Sequence, residues 1–152
     1  MKSVFLKRVV VALSILVAVS QTNVTLAHSG GGAIDPAGTN ASATILAAVT
    51  CSDDGNGTPD HLFGQIKDLS APVPGLLVSF HIYKGIKMTT STDAISGDAN
   101  YSPGATLNGG PGVYYISVTK TAAGTREFDV IWHCVTSGDI HTGTDISVYQ
   151  IQ

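Results

Sequence analysis

The sequence predicts an all-β fold, an antiparallel β-sandwich or Greek-key arrangement of immunoglobulin-like kind, on three observations. Apolar and polar residues alternate in short runs, the period of a strand with one buried face. Clusters of Gly, Pro, Asn and Asp separate these runs, and no long stretch has helical apolar spacing. Cys51 and Cys134 each fall in phase with the apolar residues of their own run, with Trp132 two residues before Cys134. Paired inward cysteines beside a tryptophan are a packing device of immunoglobulin-like sandwiches, so one buried disulfide between sheets is expected.

Taken in order, residues 28–41 are rich in Gly and Ala and are expected to be irregular. Ala43–Cys51 is a first strand, with Ile45, Ala47, Val49 and Cys51 on one face. Ser52–Asp60 is a loop dense in Asp, Gly and Asn, and His61–Asp68 is a second strand that the Pro72 and Pro74 segment ends. Leu76–Lys84 has the clearest alternation: Leu76, Val78, Phe80 and Ile82 on one face, Ser79, His81 and Tyr83 on the other. Weaker strand signals lie at Lys87–Thr90 and Ala105–Leu107. Val113–Lys120 and Arg126–Val135 are expected to pair as a hairpin across Thr121–Gly124. A last strand spans Asp145–Ile151.

The first 27 residues have the layout of a secretory signal peptide. Lys2, Lys7 and Arg8 precede an apolar run, Val9–Val19, broken only by Ser14, and the segment ends in Thr25-Leu26-Ala27. The run is short of the roughly 20 residues a membrane span needs. The expected organisation is a leader at 1–27 and one domain at 28–152, periplasmic or extracellular, with no membrane span once the leader is removed. Cleavage after Ala27 would make His28 the mature N-terminus; cleavage after Ser20 would leave Gln21 there.

Beyond the leader there are five basic side chains (Lys67, Lys84, Lys87, Lys120, Arg126) against eleven acidic ones, a net charge of −6. Without a basic stripe, nucleic acid is not an expected partner. The chain has no G-x-S-x-G, H-E-x-x-H or P-loop motif, and Glu127 is its one glutamate after the leader, so a conventional enzyme is not expected. The loop Asp53–Asp60 alternates oxygen-bearing residues as calcium loops do, but Pro59 stands where a sharp-turn glycine is needed, and a plain turn is the reading taken.

The metal-ligating candidates are His28, Asp139 and His141, with His81 and His133 as a second pair. An N-terminal histidine offers amine and imidazole on one residue, and Cu(II) favours tetragonal N,O ligation. Asp139 and His141, two apart, project to one side if extended. His81 and His133 both lie opposite the apolar face of their strands and could meet if those strands were neighbours. The alternative is that all four histidines and Asp139 are ordinary loop and surface residues.

Two stretches resemble known families. Gly110-Pro-Gly-Val-Tyr-Tyr-Ile-Ser-Val118 resembles part of bacterial pre-peptidase C-terminal domains, which implies a β-sandwich in a non-catalytic accessory role. The chain ends resemble CopC-type periplasmic copper-binding proteins: His28, Pro36-Ala37, then Asp139-Ile140-His141, Gly143 and a last strand. That resemblance implies Cu(II) ligation by His28, Asp139 and His141. Ile140 stands where that family usually has Gly, and the two cysteines have no counterpart there. The expected function is therefore a small exported non-catalytic protein binding Cu(II) for copper handling outside the cytoplasm. The alternatives are a metal-free structural, adhesive or ligand-binding module with an unidentified extracytoplasmic partner, and a mononuclear copper oxidase or oxygenase.

Overall fold

The computed structural model describes residues 28–152, in which all regular structure is strand. The leader assigned to 1–27 lies outside the described residues. Nine strands follow one another: β1 (His28–Ile34), β2 (Ile45–Ser52), β3 (His61–Asp68), β4 (Val78–Lys84), β5 (Lys87–Thr92), β6 (Ala105–Asn108), β7 (Gly112–Lys120), β8 (Arg126–Val135) and β9 (Gly143–Gln150). They form two antiparallel sheets, β1-β8-β3-β6 and β5-β4-β7-β2-β9. The inward faces meet in one core that includes Val49, Leu62, Ile66, Phe80, Ile82 and Tyr114. The domain is thus the expected antiparallel sandwich. Among the described residues no helix is long and apolar enough to cross a membrane.

Cys51 of β2 and Cys134 of β8 are joined in a disulfide. These strands belong to different sheets, so the bridge pins the layers together beside Trp132. Closing a loop of 83 positions restricts the unfolded chain by about 4–5 kcal/mol in the loop-entropy account.

Two expectations are corrected. Residues 28–34 are not irregular but form β1, paired residue by residue with β8 from His28↔Trp132 to Ile34↔Arg126. Three consecutive glycines hide the alternation that betrays a strand, while their backbone groups still fill the ladder. The second correction concerns β7 and β8, which are not a hairpin. Strand β7 pairs with β4 and β2 in one sheet, and β8 with β1 and β3 in the other. The segment between them arches across the core edge. Asp35 organises this arch: its backbone turns left-handed at φ 54°, which Asp tolerates better than most residues. Its carboxylate accepts from Lys120 Nζ at 2.8 Å, Gly124 N at 3.0 Å, Thr39 N at 3.0 Å and Asn40 N at 3.1 Å. Lys120 Nζ donates as well to the carbonyls of Asn40 and Ala122. The charges are buried, but every one of these hydrogen bonds compensates lost hydration.

Candidate functional site

The sequence-derived candidates fall around the far end of β8. His28 opens β1 directly opposite Trp132, their rings 6.4 Å apart. After β8 the chain turns through 136–140 and returns so that His141 bridges to Val135. The turn is made by Thr136: its carbonyl accepts from Asp139 N at 3.1 Å and its hydroxyl from Ile140 N at 3.2 Å. Asp139 sits exposed in this turn in the left-handed conformation, φ 59°. Strand β3 already covers the other side of β8, pairing His61 with Val135, so His141 and β1 share the remaining flank. His28 and His141 therefore lie along one side of β8, opposite residues three positions apart, a run of roughly 10 Å at strand rise.

On the face of β8 opposite to that of Trp132 and His28 stands His133. Its ring stacks on that of His141 with centroids 4.3 Å apart, and on Phe63 of β3 at 6.3 Å. His133 is buried, and its Nδ1 has no hydrogen-bond partner among the described residues. Burial, with smaller contributions from His141 and His28, pushes its pKa down to about 4. The imidazole is thus neutral near pH 7, the form that accepts a proton or a metal ion.

His81 lies elsewhere. It belongs to β4, whose neighbours are β5 and β7, so it never meets His133 on β8. Its Nε2 is 2.8 Å from the Thr119 hydroxyl, and burial lowers its pKa. The condition under which the pair could share an ion, neighbouring strands, is not met. The acidic loop is turned inward on its own backbone: Asp53 Oδ1 accepts from Gly55 N at 2.8 Å and Gly57 N at 3.1 Å, and Asp54 Oδ1 from Asn56 N at 3.2 Å.

No protein-family model matches the chain, and no curated protein and no solved structure matches it. Among the described residues no three His, Cys, Asp or Glu side chains gather so as to hold a metal ion. What the site offers is two stacked imidazoles, one orphaned ring nitrogen and a third imidazole at the start of the neighbouring strand. The residue that sequence reasoning undervalued is His133, because its proximity to His141 depends on where the chain returns after β8. Phe63, its stacking partner, carried no signal beyond an ordinary alternating strand.

Proposed function

We propose that the domain is an exported, non-catalytic module that binds Cu(II) at a mature N-terminus beginning with His28. The observation that carries this reading is the stack of His133 on His141 at the end of β8, with an orphaned Nδ1 on the neutral His133 and with His28 opening the neighbouring strand beside Trp132. Imidazole nitrogens suit Cu(II), and an orphaned buried nitrogen is the kind of group a metal would satisfy. The remaining donor is not a side chain. A cut after Ala27 would create an α-amine on His28, and amine and imidazole of one residue form a chelate ring. His141 would supply a further nitrogen and the exposed Asp139 an oxygen, as the resemblance to CopC-type proteins implies.

The test is Cu(II) titration of the exported, N-terminally sequenced protein, followed by electron paramagnetic resonance. Emission of Trp132, the chain's one tryptophan, gives a second readout, since Cu(II) held by His28 would quench it. One tight equivalent with a nitrogen-rich tetragonal spectrum is expected, and His141→Ala weakens it at least tenfold. A mature chain that begins elsewhere, or equal binding by His141→Ala, would rule this site out.

A further inference from the structure

The sandwich closes unevenly along its two sides. On one side lie two free edges, β1 of one sheet and β9 of the other, and no ladder joins them. The inward positions of β1, opposite Phe128, Val130 and Trp132, are Gly32, Gly30 and His28. Two of the three therefore send no side chain into the space between the sheets. A cavity of about 160 Å³ occupies it, walled by Phe80, Ile116, Phe128, Trp132, Ile146 and Val148 among others, with no ionisable side chain on its lining. A Cβ at Gly30 would stand 3.2 Å from the Trp132 ring, and one at Gly32 would stand 3.9 Å from Phe128. The glycines keep the cavity open. Its mouth is marked by Val148 and Ile151, which remain 55 and 69 % exposed although both are apolar.

We propose that this cavity binds an uncharged apolar molecule the size of a single six-membered ring. Size sets the first part: an apolar cavity of about 150 Å³ in another protein stays dry and takes up benzene. The lining sets the second, because a charge placed there would lose its hydration with nothing to offset the loss.

Trp132 also reports on the site as the chain's one tryptophan. The experiment titrates the full exported protein, kept in chelator to exclude metal quenching, with acetophenone and follows Trp132 emission. A saturable change is expected, and benzoate, of similar size but charged, binds at least tenfold more weakly. Gly32→Val fills the cavity from β1, where its Cβ makes only ordinary contact and its backbone is not left-handed. It binds acetophenone at least tenfold more weakly while melting no lower than the wild type. Val148→Phe, which closes the mouth from β9, weakens binding likewise and serves if Gly32→Val does not fold. An emission change that does not saturate, or undiminished binding by a folded plug variant, overturns the proposal. Equal affinity for benzoate overturns it as well.

Discussion

Strand β8 is entered and left through two polar clusters that the protein treats in opposite ways. At its entry the Asp35 carboxylate and the Lys120 ammonium are buried together, and backbone groups take up the capacity left over. At its exit His133 is buried with an orphaned nitrogen, stacked on His141 with nothing to satisfy it among the described residues. A satisfied buried network holds a fold in one arrangement, whereas an unsatisfied one costs stability and calls for another explanation. The Asp35–Lys120 network is thus architectural, whereas the His133–His141 pair is where the Cu(II) proposed above would find donors. Other orphaned atoms near the entry, Nε of Arg126 and Oδ2 of Asp68, face each other as an ion pair at 3.7 Å.

The largest expected effect lies at the satisfied end. Lys120→Met leaves the Asp35 carboxylate buried without its counter-ion, and the melting temperature falls by about 10 °C or more. A melt within a few degrees of wild type, read by circular dichroism, would break the contrast, because it would make the Asp35 network dispensable. The next effect depends on pH. The Lys120 ammonium first, then the backbone N–H groups of Gly124, Asn40 and Thr39, hold the Asp35 carboxyl far below the usual carboxylate range. A depressed carboxylate contributes stability that is fully present above the unfolded value of about 4 and is lost as pH falls below it. Asp35→Asn should therefore be less stable than wild type at pH 7, and the gap should narrow steadily below pH 4 in denaturant titrations. A gap independent of pH would mean that the charge of Asp35 is not what matters.

The same contrast explains what the sequence disclosed. Strands such as β4 were legible because Val78, Phe80 and Ile82 alternate with Ser79, His81 and Tyr83, and the faces follow from a period of two. The disulfide was legible because Cys51 and Cys134 keep phase with apolar neighbours. Which sheet a strand joins leaves no trace in alternation, so the turn-like Thr121–Gly124 segment suggested a hairpin where the chain arches between layers. The deciding residue, Asp35, lies more than eighty positions away in sequence from Lys120, with |i−j| of 85. Three glycines erased the pattern of β1, and with it went the cavity that two of them, Gly30 and Gly32, keep open. The histidine candidates were visible as residue types. Their grouping required the strand order, which separates His81 from His133 and brings His141 beside it.

The smallest expected effect is the sharpest test of the unsatisfied end. His133→Phe replaces an imidazole lacking a partner with an apolar ring that keeps the stack on Phe63. At pH 7 it should leave stability within about 1 kcal/mol of wild type or raise it, since replacing a poorly satisfied buried polar group by an apolar one is often neutral. The sign of the difference then follows from protonation. In the folded chain His133 resists protonation down to about pH 4, while the unfolded chain takes up the proton near pH 6.5. Between those values acid favours the unfolded wild type, so its stability falls as pH drops from about 6.5 to about 4. The Phe variant lacks this loss and should overtake wild type at pH 5 in chemical denaturation. A variant already several kcal/mol less stable at pH 7 would show that His133 holds the fold as Asp35 does, and the two ends of β8 would no longer differ in kind.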